Sequence, residues 1–305
     1  MNIEVLLTEA EIADEFAEAI EARDLPEKFF YWSPLSVRTW KEFSPVANES
    51  LRQTWDALAL KACDLTKSFG ARVPVISFGA GDGARDRLIL KSLQTAGPDV
   101  KYFPVDASQA LLETACAGAE DDDCEVLGIK ADISSPMHIV LAADVSEAPR
   151  LFLIVGNTLG AFDPLDQIKH VAGCLHKGDI LIVDVETEFA GDPAPSDLEK
   201  RFVLAPLASS GISPEDGELK LVENSDDRHR GLQLVTRRFQ TERDLKIDVN
   251  GRAIHVERGE RFVLNFRYRF TRDAFNWLLT RHAGLNIMGE IPCADGRFIT
   301  AICTT

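Results

Sequence analysis

Apolar residues recur at helical spacing over residues 8–22, where Ile12, Phe16, Ala19 and Ile20 share one face. Thr8 followed by Glu11 has the form of a capping box at the start of that helix. Residues 49–69 repeat the pattern through Leu51, Trp55, Leu58 and Leu60. Between them the segment LPEKFFYWSPLSVRTWKEF (25–43) is strongly aromatic and predicts a loop. Residues 1–69 are thus expected to form a mostly helical N-terminal segment on the substrate side.

The periodicity then changes. VPVISFGAG (73–81), KYFPVD (101–106), CEVLGIKAD (124–132), LFLIVGNTLG (151–160) and DILIVDVE (179–186) are apolar runs of strand length. Helical patterns separate them, among them DRLILKSLQTAG (86–97), SQALLETACAGA (108–119) and PLDQIKHVAGCLHKG (164–178). Buried strands alternating with helices predict an α/β fold, a Rossmann-like parallel sheet with helices on both faces. After Glu186 the alternation becomes period-2. GELKLVEN, GLQLVTRRFQ, DLKIDVNGRAIHV and RFVLNFRYRF read as strands, with Asn250-Gly251 as a hairpin turn. Residues 187–265 are expected to be a β-rich inserted substrate domain. A helix over 271–284 and a strand over 297–305 return to the sheet, so 70–186 and 266–305 should form the cofactor-binding domain.

Charge narrows the function. A formal net charge of −16 repels nucleic-acid backbones, so a small-molecule substrate is expected and nucleic acid is not. No basic leader precedes an apolar run at the N-terminus, and no stretch reaches the ~18 apolar residues of a membrane span, so a cytoplasmic, non-membrane protein is expected, monomeric or homodimeric. The six cysteines and six histidines show no metal-binding spacing; no metal is expected, and the thiols should be reduced. His229 lies in a polar stretch and is expected to be solvated, as is the EDDD turn (120–123).

Candidate chemistry concentrates at strand ends. VISFGAGDGARD (75–86) places Gly79, Ala80 and Gly81 in a strand–turn–helix context, where missing Cβ atoms let backbone approach a ligand. Asp106 ends the next strand and can accept ribose hydroxyl protons or cap the helix beginning near Ser108. Asp132 ends the third and can accept from an adenine amine or simply face solvent. Gly156, Asn157 and Thr158 follow the fourth, at the crevice where open α/β sheets bind ligands. A nicotinamide dinucleotide competes for such a site, but its G-x-G-x-x-G spacing is replaced here by a third glycine at Gly83.

Several segments together resemble the histidine-specific N-alpha-methyltransferase family of the ergothioneine pathway and its relatives. LPEKFFYW (25–32) is similar to that family's L-P-x-K-F-F-Y, whose tyrosine, here Tyr31, lies near the substrate. FGAGDGARDRLIL (78–90) resembles its glycine turn with a following basic residue, here Arg85. YFPVDASQALL (102–112), GNTLGAF (156–162) and RYRFTRDAFNWLL (267–279) resemble three further segments. The resemblance implies a class I methyltransferase with S-adenosylmethionine as cofactor, held by Gly79, Ala80, Gly81, Arg85, Asp106, Ala107, Asp132, Ile133, Gly156 and Asn157. Tyr31 is implied as the catalytic phenol, and Tyr31, Thr158, Asn265, Arg267 and Tyr268 as substrate-binding.

The departures bear on chemistry, most of them on the substrate side. Ser77 replaces an acid before the glycines, and Ala161 replaces the asparagine that holds the substrate's amino-acid end. Asn265 and Arg267 replace the glutamate and serine that grip the histidine imidazole. Methylation of a small molecule is therefore expected, at the nitrogen of an amino acid or related amine other than histidine. Arg267 suits a carboxylate, or an ion pair with one of the chain's own acids. A regulatory S-adenosylmethionine-binding protein with a degenerate site, or another adenosyl- or nicotinamide-cofactor enzyme, is the alternative.

Overall fold

The computed structural model describes residues 1–47, 49–187, 196–226 and 228–305. In chain order, β1 (Ile3–Val5) is followed by α1 (Glu9–Ala22), α2 (Pro34–Ala47) and α3 (Glu49–Leu65). Then come β2 (Arg72–Phe78), α4 (Ala84–Ala96), β3 (Asp99–Asp106), α5 (Gln109–Asp121), β4 (Glu125–Val126) and β5 (Gly128–Lys130). Next are α6 (Pro136–Ala143), β6 (Leu151–Ile154), α7 (Pro164–Cys174) and β7 (Ile180–Glu186). The remainder comprises α8 (Asp197–Ser209), β8 (Gly217–Ser225), β9 (Leu232–Thr241), β10 (Leu245–Val249), β11 (Arg252–Val256), β12 (Arg261–Phe270), α9 (Arg272–Trp277), β13 (Asn286–Pro292) and β14 (Phe298–Thr304).

The large sheet runs β1-β5-β3-β2-β6-β7-β14-β13, with β4 beside β3. Strands β1 to β7 pair in parallel, while β14 and β13 close one edge antiparallel. This is the class I S-adenosylmethionine methyltransferase sheet, extended at its other edge by β1, a strand of three residues that is too short to show a period. Six of the seven residues of β2 are buried, because helices cover both faces of its sheet. The strand order reverses outward from β2, between β3 and β6, which opens a crevice beyond their C-terminal ends.

A second sheet, β12-β9-β8, is antiparallel, and β10 and β11 form a separate hairpin. The hairpin turns on Asn250 (φ 53°) and Gly251 (φ 76°), both left-handed as a two-residue turn of this twist requires. Strand β12 crosses the expected boundary at 265/266 and pairs with β9 on both sides of it, with a register shift between Val263 and Asn265. The expected insertion also contains a helix, α8, and its residues 188–195 lie outside the described residues.

The aromatic segment is not a loop. Residues Glu27–Phe30 form a 3-10 turn and Pro34 opens α2. Phe29 and Phe30 are fully buried and pack with Phe16, Phe202, Phe239 and Phe262 in a core separate from that of the large sheet. Thr8 caps α1 as its sequence predicts: Thr8 Oγ1 accepts from the Glu11 N–H at 3.2 Å, and Glu11 accepts from the Thr8 N–H at 2.8 Å. The Leu25 N–H donates to the Val263 carbonyl at 2.9 Å and the Val263 N–H to the Arg23 carbonyl at 2.8 Å. These bonds fasten the N-terminal segment to β12 and hold both over the crevice.

Candidate active site

The glycine turn after β2 forms the floor of the crevice. The Gly79 N–H donates to the Val105 carbonyl at 2.9 Å, and the Gly81 N–H to Asp106 Oδ2 at 2.8 Å. Gly81 has φ 59°, and a Cβ there would project into cavity space with only Arg85 Nη2 within 4 Å, at 3.9 Å. The bare backbone is therefore a cradle that a side chain would fill. Asp106 also accepts the Ser108 N–H at 2.9 Å on its other oxygen. Its carboxylate braces the turn and faces the cavity at once, and burial pushes its pKa up against the pull of those two N–H groups.

Arg85 bends back from the first turn of α4 and staples this floor to the next strand. Its Nη1 donates to the Val155 carbonyl at 2.6 Å and its Nη2 to the Gly79 carbonyl at 2.9 Å. The guanidinium fills the space beside Gly156, where a Cβ would lie 1.5 Å from Nη1. Below the same loop, the buried Asp184 of β7 accepts the Gly156 and Asn157 N–H groups at 2.9 and 2.6 Å. Asn157, held at φ 63°, accepts the Glu186 N–H at 2.9 Å with its side-chain oxygen.

Asp132 follows β5. Ser134 donates to Oδ1 from its N–H at 2.8 Å and its hydroxyl at 2.6 Å, and Lys28 Nζ lies 2.6 Å from Oδ2. Burial opposes ionisation of Asp132, but Lys28 and the Ser134 donors outweigh it and hold the carboxyl below its ordinary range. Lys28 also pairs with Glu15.

The N-terminal segment and β12 supply the opposite wall. The Tyr31 hydroxyl donates to Glu27 Oε1 at 2.9 Å, and its ring packs edge-on against Trp40 with centroids 5.2 Å apart. Burial, then the Glu27 carboxylate, pushes the Tyr31 phenol well above its usual value. Arg267 of β12 lies 3.6 Å from Glu186 Oε2. Glu186 is fully buried and is also approached by Arg269 at 3.5 Å and Arg297 at 3.3 Å.

One cavity, about 1010 Å³ counted to its open mouth, joins these walls. Of the residues expected at the site, Gly79, Gly81, Arg85, Asp106, Ala107, Asp132, Ile133, Gly156 and Asn157 line it. Tyr31, Thr158 and Arg267, the residues expected on the substrate side, line it too. Ala80 lies beneath the turn, fully buried.

Two expected substrate residues are not in the lining. Adjacent strand residues point to opposite faces, so with Arg267 toward the cavity Tyr268 points away. It packs edge-on against Phe266, centroids 5.8 Å apart, and its hydroxyl accepts from Arg228 at 2.8 Å. Asn265 is buried, and its carboxamide oxygen accepts from Arg237 at 3.4 Å. His229 is not simply solvated: its ring stacks on Trp277 with centroids 3.9 Å apart.

The cavity also contains residues that pattern reasoning missed: Glu27, Lys28, Trp40, Leu51, Phe162 and Phe298. Asp184 and Glu186 support it from below. These two acids interrupt the apolar run ILIVDVE, a signal that each would need a buried partner. Glu27 and Lys28 gave no such signal among the aromatic residues around them.

No helix among the described residues is long and apolar enough to cross a membrane. A search of curated proteins finds no match. Among solved structures, an S-adenosylmethionine-dependent methyltransferase from Clostridium acetobutylicum is 13% identical, with a TM-score of 0.46, covering 87% of this chain and 98% of its own. The S-adenosylmethionine-bound amino pentose methyltransferase CalS10 from Micromonospora echinaspora is 12% identical, with a TM-score of 0.41, covering 86% of this chain and 96% of its own. The family described as histidine-specific, S-adenosylmethionine-dependent methyltransferase matches residues 10–189, more than half of the chain. The chain belongs to that family of S-adenosylmethionine-dependent methyltransferases, with S-adenosylmethionine as its cofactor.

Proposed function

We propose that this protein methylates a nitrogen of a small molecule, an amino acid or related amine other than histidine. The observation that carries the proposal is a single cavity with two chemically distinct walls. One is bare backbone with Asp106 and Asp132; the other carries Tyr31 and Arg267. Bound S-adenosylmethionine supplies a methyl group activated on sulfonium sulfur.

On the cofactor wall, the Gly79–Gly81 backbone gives close approach and Asp106 is the acceptor for ribose hydroxyls. Asp132 is the acceptor for the adenine amine, with Ala107 and Ile133 as its apolar neighbours. Arg85, Gly156 and Asn157 fix the shape of the floor. Tyr31 and Arg267 on the facing wall, with Thr158 beside Gly79 on the floor, orient the acceptor molecule and exclude water, which is most of what a methyl transfer asks of a protein. Asn265 and Tyr268 lie outside the cavity lining, bonded to Arg237 and Arg228. A guanidinium in the wall favours an anionic group on the acceptor molecule, and the replacement of the family's imidazole-gripping glutamate and serine by Asn265 and Arg267 supports a substrate other than histidine.

The test is incubation of the purified protein with S-adenosylmethionine and a panel of amino acids and amines, histidine included, with product mass and methyl position determined. The expected product is N-methylated and comes from an acceptor other than histidine. A methyl on oxygen or carbon, a preference for histidine, or no product from any amine would overturn the proposal.

A further inference from the structure

Glu27 lies in the cavity wall with its two oxygens in different states. Oε1 accepts from Tyr31 at 2.9 Å, whereas Oε2 is buried with no hydrogen-bond partner among the described residues. A buried carboxylate oxygen without a donor is costly, and it marks a place where a donor is missing. Arg267, in the same cavity, donates no hydrogen bond among the described residues, and its nearest acid, Glu186, is 3.6 Å away. The cavity thus holds one acceptor and one forked donor of opposite charge, both with hydrogen-bonding capacity to spare.

Resting on the N-methyltransferase proposal above, we infer that Glu27 docks the substrate's ammonium group and accepts its proton, while Arg267 holds a carboxylate of the same molecule. The acceptor is accordingly a zwitterionic amino acid. In the proton step, one N–H bond of the ammonium breaks and leaves its electron pair on nitrogen. An O–H bond forms on Glu27, and the neutral amine becomes the nucleophile. After the product leaves, the Glu27 carboxyl returns its proton to solvent.

The surroundings suit this role. Burial pushes the Glu27 carboxyl up, against the pull of Arg267, Tyr31, Arg237 and the Asn265 side chain. A carboxyl whose pKa is raised is a better proton acceptor for an ammonium than an ordinary one. The groups that face it are Tyr31 at the end of its own turn, Asn265 and Arg267 from β12, and Arg237 from β9. From α8, Glu199 pairs with Arg237 and offsets that charge.

The test uses the full chain and an amine substrate found in the panel. Glu27→Gln is nearly isosteric, and binding of S-adenosylhomocysteine by calorimetry checks that the fold and cofactor wall survive. The expected result is cofactor-product affinity within about twofold of the wild type, with kcat/KM at neutral pH lower by about 100-fold or more. The lost rate should return as pH rises and the free amine becomes abundant. An amine methylated by the wild type, and by Glu27→Gln at equal rate with the same pH profile, would overturn the inference and leave N-methylation standing. A wild type that binds S-adenosylhomocysteine but methylates no amine would overturn both. Should Glu27→Gln fail to bind the cofactor product, Tyr31→Phe decides. Removing the hydroxyl that lowers the Glu27 pKa should move the acid limb of kcat/KM to higher pH, and an unmoved limb refutes the role.

Discussion

The Lys28 ammonium lies 2.6 Å from Asp132 Oδ2, joining the N-terminal segment to the end of β5 across the cofactor wall. Both side chains are 12% exposed, so water screens this pair far less than an ion pair on the surface. Lys28→Met should leave Asp132 with only its Ser134 donors and cost about 2–4 kcal/mol at neutral pH. The sign with pH follows from Asp132, whose folded carboxyl is held below its ordinary range. Its stabilisation is present above the unfolded-state value and is lost as pH falls through the folded one. Urea melts of the two proteins should therefore differ at neutral pH and converge in acid. A difference independent of pH would show that Lys28 contributes by packing alone.

Gly156 is required by Arg85 as well as by its own backbone. A Cβ there would overlap the guanidinium, and φ 85° disfavours any side chain. Gly156→Ala should displace Arg85, releasing the Val155 and Gly79 carbonyls, and so lower both stability and cofactor affinity. In an Arg85→Ala background the overlap is gone, and only the backbone cost of about 1–3 kcal/mol remains. The two substitutions should be clearly non-additive in a double-mutant cycle, with Gly156→Ala milder in the second background. Additive effects would mean that the overlap is relieved without loss of the staple.

Arg267 gives a test of substrate chemistry. Arg267→Gln should raise KM for a carboxylate-bearing amino acid by about 10-fold or more, and much less for the corresponding decarboxylated amine. Equal effects on the two would place Arg267 in the Glu186 ion cluster rather than on the substrate.

The central sheet was legible because β2, β3, β6 and β7 are buried on both faces and so read as mostly apolar runs. The glycine turn, Asp106 and the loop after β6 were legible because each sits at the C-terminal end of such a run. Three features were not. Strand β1 has three residues, too few for a period. The helix α2 was hidden by the aromatic residues and two prolines of its segment, of which Pro34 only opens it. Glu27 and Lys28 acquire meaning only through Asp132, Arg267 and Arg237, which are distant in sequence and arrive by tertiary folding. Tyr268 and Asn265 show the converse. Their motif positions were recognisable, but pleat direction and the Arg237 contact decide that neither lines the cavity.

As the proposed ribose acceptor, Asp106 should set how cofactor affinity responds to acid. Its two oxygens already accept the Gly81 and Ser108 N–H groups, so replacing it would disturb the turn as well as the ribose site. Varying pH on the intact protein separates the two better. Ribose hydroxyls donate to the ionised carboxylate, so binding favours that form, and affinity should rise with pH through the Asp106 pKa and level off above it. Burial raises that pKa, so the loss of affinity should begin at higher pH than for an ordinary aspartate. Calorimetry with S-adenosylhomocysteine in buffers of differing ionisation heat would show a proton released on binding in the acid range and none at neutral pH. Affinity that stayed constant down to the pH where the protein unfolds would remove Asp106 from the ribose contact.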